Sequence, residues 1–212
     1  MKSLSALLIL AVMSATVCAD EKADDKPIEK PAEQKDQKDK PSEKVETKEV
    51  KVKDLTLKFP TKWEKVDHPS RMRLATIKVP RVKGDSDDGE LTIFNFGGGG
   101  GQVQANIQRW VGQFTNEERE VQVQQGKAGE NNYIIVDVSG TYKKPDGPPV
   151  LGKTKPVKGY QMLGVILLDM KSGEVFYLKL TGPKKTIAAA GDAYRASFGG
   201  STKNEKPLST KE

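Results

Sequence analysis

The chain has one cysteine and one histidine in 212 residues. Cys18 has no partner for a disulfide, and structural zinc sites draw several Cys or His ligands, which are not available here. His68 stands alone before Pro69. A Ser-His-Asp arrangement needs a histidine beside a nucleophile and an orienting acid, and no G-x-S-x-G elbow is present to supply the nucleophile. His68 therefore reads as a surface loop residue. The chain also lacks a long hydrophobic run. The longest, from Leu4 to Val17, is about 14 residues, whereas a spanning helix takes roughly 20.

That run follows a single positive charge, Lys2, and leads into Val17-Cys18-Ala19. Its length and the small residues after it match a secretory leader. The expectation is an exported protein with residues 1–19 as signal peptide, cleaved after Ala19 and acting in the periplasm or outside the cell. Cleavage before Cys18 is the alternative and would leave a lipid-anchored chain. Release after Ala19 would leave the mature protein with neither a thiol nor a transmembrane span.

From Asp20 to Lys48 the chain is almost wholly Lys, Glu, Asp, Gln and Pro. Such a segment cannot bury enough apolar surface to offset the entropy of ordering it. It is expected to be a disordered charged linker, and residues 199–212 a disordered tail. The linker is slightly acidic, so the net charge of +6 comes from the domain between, residues 49–198. A basic domain suits an anionic surface or an envelope protein as partner. Nucleic acid is not expected, because export removes the opportunity and no aromatic-basic stacking motif appears.

Residues 49–198 are enough for one hydrophobic core. Val52, Leu55, Leu57 and Phe59 have strand periodicity, closed by Pro60. Residues 71–79 and 90–96 read as a pair of strands about a turn at Asp88-Gly89. Val103, Ile107, Trp110, Val111 and Phe114 form one apolar stripe on a helix. Strand-like segments follow at 120–124, 133–142, 160–170 and 174–181. A last helix after Pro183 would bury Ile187, Ala190, Tyr194 and Phe198, with Gly199 as its stop. Trp63 and Trp110 are assigned to the core. The order predicts an α+β domain, a mainly antiparallel sheet with helices packed on it.

The segment LTLKFPTKWEKV, residues 55–66, carries a strand, Pro60, two residues and then Trp63. It resembles the opening of PsbP-like domains, and the element order agrees over most of residues 55–198. The resemblance implies an antiparallel sheet sandwiched by helices, an α/β/α sandwich. It also implies a binding or assembly role, since such roles predominate in that family, with no catalytic residue to carry over. The pentaglycine run and the lysine-rich segment described next lie outside the family pattern.

Three segments remain as candidate sites. Asp85, Asp87, Asp88 and Glu90 form an acidic turn. An EF-type calcium loop fails on it, because Gly89 and Phe96 stand where oxygen ligands are needed. A hairpin turn with solvated charges is the expectation. Gly97, Gly98, Gly99, Gly100 and Gly101 precede the first helix, where backbone N–H groups favour anions, but no Lys-Ser or Lys-Thr follows as in a P-loop. Residues 143–159 read as a long basic loop carrying Lys143, Lys144, Lys153, Lys155 and Lys158. The reading is therefore a non-catalytic exported binding or assembly module of the cell envelope, with no cofactor and no metal. The alternative is a small-ligand or anion-binding protein using the glycine run and nearby basic residues.

Overall fold

The computed structural model describes residues 45–68, 70, 72–97, 102–147 and 151–208. The expected leader, both cleavage positions, most of the charged linker and Gly98, Gly99, Gly100 and Gly101 lie outside the described residues.

The alternation around residue 55 resolves into two strands. β1 (Thr47–Val52) and β2 (Leu55–Pro60) form an antiparallel hairpin. Val52 thus sits on the strand before the turn and pairs with Leu55. Lys53 makes the turn with a φ of 50°. A two-residue hairpin takes such φ values, and the Lys-Asp pair gives none of the usual Asn-Gly or Asp-Gly signal.

The main sheet has eight strands: β3 (Glu64–Val66), β4 (Arg73–Val79), β5 (Gly89–Asn95), β6 (Glu120–Ala128), β7 (Asn131–Pro145), β8 (Thr154–Leu168), β9 (Val175–Pro183) and β10 (Lys206–Pro207). Their order is β10-β6-β7-β8-β9-β5-β4-β3, and neighbours run antiparallel throughout. Two α-helices among the described residues complete the domain, α1 (Val103–Val111) and α2 (Lys184–Ser197). The domain is thus mostly antiparallel sheet with two helices.

β8 is central and buried along its whole second half, from Tyr160 to Leu167. Period-2 alternation divides its side chains between two cores. Leu163, Val165 and Leu167 cluster with Leu178 and Leu180 of β9, with Ile187, Ala190 and Tyr194 of α2, and with the β1–β2 hairpin. Met162 and Ile166 cluster instead with Ile107 and Trp110 of α1, with Phe114 and with Tyr177 of β9. Trp63 and Trp110 are both buried, as the sequence led one to expect. Fully burying one such large side chain contributes roughly 1.5–3 kcal/mol.

The apolar stripe of α1 outlasts its helix. The helix ends at Val111, and Phe114, wholly buried, reaches the core from the following turn, where it bridges Tyr142. α2 begins directly from the end of β9 and has no local side-chain cap, since its N-cap position is Pro183. Asp85 of the acidic turn supplies one from a distance. Its carboxylate accepts from the Thr186 amide at 2.9 Å and from the Thr186 hydroxyl at 2.6 Å. This satisfies one of the donors a helix start leaves open.

Two regions differ from the sequence reading. Much of residues 143–159 is strand and not loop: β7 runs to Pro145 and β8 begins at Thr154, with Lys143 opposite Pro156, Lys144 opposite Lys155 and Pro145 opposite Thr154. The prolines and lysines hid the strands because most of the described residues of this hairpin arm are exposed and show no apolar alternation. Nor does ordered chain stop at Phe198. A 3-10 turn (Thr202–Asn204) leads to β10, which pairs with β6. Glu205, just before β10, grips α2. Arg195 donates to it from Nε at 2.7 Å and from a terminal nitrogen at 3.1 Å, with both side chains almost wholly buried.

Candidate functional site

The continued β7–β8 arm brings Lys144 back over the sheet. There it meets the acidic turn and a group of side chains on the face that carries α1. Arg73, Asp87, Asp88, Glu90, Tyr142, Lys144, Pro145, Tyr160, Lys179, Thr181 and Gly182 line a polar cleft of about 440 Å³. The strands dictate this company. Glu90 lies opposite Thr181 across β5 and β9. Lys179 and Thr181 are two residues apart on β9, so both point the same way.

One wall is a clamp. The Tyr160 hydroxyl donates to Asp87 at 2.5 Å, and the Lys144 ammonium donates to Asp87 at 3.1 Å and to the Tyr160 oxygen at 3.3 Å. The Tyr160 ring stacks on Tyr142, 5.7 Å between centroids and 6° from parallel. The Tyr160 hydrogen bond, then that of Lys144, holds the Asp87 carboxyl below the usual carboxylate range. Burial, then the Asp87 bond, pushes the Tyr160 phenol up. Burial works against the Lys144 ammonium, but its bonds to Asp87 and Tyr160 outweigh that and raise its pKa. Asp87 thus stays ionised and Tyr160 protonated across the neutral range.

The other charges are nearly all spoken for. Arg73 pairs with Glu90 at 3.2 Å, and Lys78 with Asp88 at 3.2 Å. Asp88 also accepts from the Arg81 amide. Lys179 differs. Its ammonium donates to the neutral Gln113 amide oxygen at 2.9 Å and lies 6.0 Å from the Tyr142 ring centroid. It forms no ion pair among the described residues. Although Lys179 as a whole is only half-buried, burial of its charge lowers its pKa to about 8, with Glu90 acting the other way and Arg73 adding to the fall. Beside it the Thr181 hydroxyl is buried and has no hydrogen-bond partner among the described residues.

The sequence candidates divide accordingly. Lys144 is in the cleft. Lys143 turns away and donates to the Gly112 carbonyl at 3.0 Å. Lys153, Lys155 and Lys158 are exposed along the arm and do not line the cleft. Lys155 is the cross-strand partner of Lys144, yet its side chain stays exposed and does not reach the cleft. Gly97 is exposed with a φ of 57°, and its amide already donates to Asn95 Oδ1 at 3.0 Å. The acidic turn is not a set of solvated charges: Asp85 caps α2, Asp87 clamps Tyr160 and Asp88 holds the turn. His68 accepts from the Ser70 amide and lies outside the cleft.

Sequence reasoning missed Arg73, Tyr142, Tyr160, Lys179 and Thr181. One signal was available: Lys179 interrupts the apolar run Val175–Leu180, and a lysine in a central strand needs a reason to be there.

No protein-family model and no curated protein matches the sequence. Among solved structures, the solution structure of the cyanobacterial PsbP of Synechocystis sp. PCC 6803 is 9% identical with a TM-score of 0.43, covering 81% of this chain and 98% of that one. The chain is similar to a PsbP protein. It is also similar to a Pseudomonas aeruginosa protein of unknown function, PA94, at 9% identity and a TM-score of 0.38, covering 71% of this chain and 92% of that one.

Proposed function

We propose that this protein is an exported, non-catalytic binding module of the cell envelope, and that its cleft receives a small anionic group such as a carboxylate. The observation that carries this is Lys179. It is a cation bound to a neutral amide, beside a buried hydroxyl that lacks a partner among the described residues. An incoming anion would compensate the ammonium and accept from Thr181, while the remaining charges of the cleft already neutralise one another.

A binding role fits the clamp better than a catalytic one. A general acid or base works best with a pKa near the operating pH, and Asp87 and Tyr160 are driven away from it in opposite directions. The two cores of β8, one with α2 and one with α1, favour the three-layer sandwich reading of the fold. Export rests on the apolar run before Ala19. No helix among the described residues is long and apolar enough to cross a membrane.

Isothermal titration with acetate, succinate and phosphate is the test. Saturable binding that weakens at least tenfold in Lys179→Met, and more modestly in Thr181→Val, is the expected result. Equal binding by wild type and both variants would place the anion elsewhere and remove the reading.

A further inference from the structure

α1 has only nine residues, about 14 Å of helix at 1.5 Å per residue. It cannot cover its face of an eight-stranded sheet. Near its start the apolar floor is only partly covered among the described residues: Ile134, Leu168 and Val175 are half-buried, while Ile166 is buried. Ile134 and Ile166 are cross-strand partners on β7 and β8, and Leu168 is paired with Val175 on β9. With Val103 they line a groove of about 710 Å³, apart from the polar cleft and sharing no residue with it. That volume is in the range of small-molecule sites, which are mostly apolar with a few polar groups that set orientation.

The charged groups that line this groove are all of one sign. Lys127 of β6, Lys203 of the 3-10 turn and Lys206 of β10 stand at its edge. All three are exposed, and none forms an ion pair among the described residues. The nearest carboxylate in sequence, Glu205, does not offset them, because Arg195 already neutralises it.

An apolar trough edged by three uncompensated ammonium groups is complementary to a molecule with an apolar tail and a negative head. We propose that this groove binds a single-chain anionic amphiphile, a fatty-acid-like molecule taken up as a monomer, with its chain over Ile134, Ile166 and Val175 and its head group at Lys127, Lys203 and Lys206. The site is independent of the cleft, so either assignment can fail without the other.

The experiment titrates the purified protein by calorimetry with three twelve-carbon probes below their micelle-forming concentrations: dodecanoate, dodecyltrimethylammonium and dodecyl maltoside. Dodecanoate should bind one to one, at least tenfold tighter than the cationic probe. Decanoate should bind roughly 16-fold more weakly than dodecanoate, since each buried methylene is worth about fourfold. The triple variant Lys127→Gln, Lys203→Gln, Lys206→Gln changes only exposed side chains. It should lose most of the dodecanoate affinity while keeping that for the maltoside. Ile134→Gln should weaken all chain-bearing probes. Equal affinity for the three head groups, or dodecanoate binding unchanged in the triple variant, would overturn the proposal. So would binding to anionic phospholipid vesicles without binding of the dodecanoate monomer, which would mark a membrane-docking face instead.

Discussion

Gly164 of β8 lies directly beneath the indole of Trp110. A β-carbon at residue 164 would stand 2.5 Å from the Trp110 ring, closer than any real contact. The missing side chain is what lets α1 settle onto the sheet. Gly164→Ala should therefore destabilise by about 1–3 kcal/mol, the usual cost of overpacking a filled core. Gly164→Val should go further and displace α1. Urea unfolding, with near-ultraviolet circular dichroism for the packing of Trp110, measures both. An unchanged midpoint in Gly164→Val would mean that α1 does not pack as described.

The Arg195–Glu205 pair ties α2 to the segment that leads into β10. Its two side chains are 10% and 2% exposed, so removing one partner leaves a buried charge uncompensated. Arg195→Met or Glu205→Leu alone should cost about 3–5 kcal/mol. The double variant should recover a substantial part, because two apolar side chains leave no orphan charge. Ending the chain at Phe198 should be as harmful as Glu205→Leu. Equilibrium unfolding of the four proteins decides this, and a harmless truncation would contradict the role given to residues 199–208.

Asp85→Ala removes the remote cap of α2. Loss of a capping side chain typically costs about 0.5–2 kcal/mol. Asp85→Asn, which can still accept from Thr186, should keep most of the stability. Thermal unfolding of the pair separates capping from a loss of charge alone.

Lys179 gives a dependence on pH with a definite sign. In the unfolded chain its amine holds a proton up to about 10.5, and in the folded protein only up to about 8. Between those values the unfolded state binds the extra proton, so stability rises with pH through that window and is lower beneath it. Lys179→Met should flatten this rise and be more stable than wild type near neutral pH. Denaturation curves from pH 7 to 10 show whether the slope disappears.

Much of the fold was legible because periodicity reports burial. The stripe through Ile107 and Trp110, the alternation through Leu55, Leu57 and Phe59, and the apolar β8 and β9 all lie where their patterns put them. What the pattern could not carry was pairing at a distance. The segment from Lys143 to Gly159 looked like a loop because its lysines and prolines carry no apolar alternation and most of its described side chains are exposed. Residues 199–208 looked like a tail because their hold on the domain is polar, through Glu205. The cleft was hidden for the same reason: Lys144 is 57 residues from Asp87 and 16 from Tyr160, and Asp87 and Tyr160 are 73 apart, and only the strand register brings them together. Lys179 was the one visible anomaly, a charge inside a buried strand.

The most direct test of the central claim is the titration of Lys179 itself, followed by the ¹³Cε resonance of labelled lysine and assigned with Lys179→Met. Without ligand the account predicts a midpoint near 8, well below the ordinary lysine value of 10.5. With a saturating small carboxylate the midpoint should move upward, because the bound anion favours the charged amine. A Lys179 that titrates at the ordinary lysine value of 10.5, or whose midpoint does not move while the carboxylate is bound, would contradict the account.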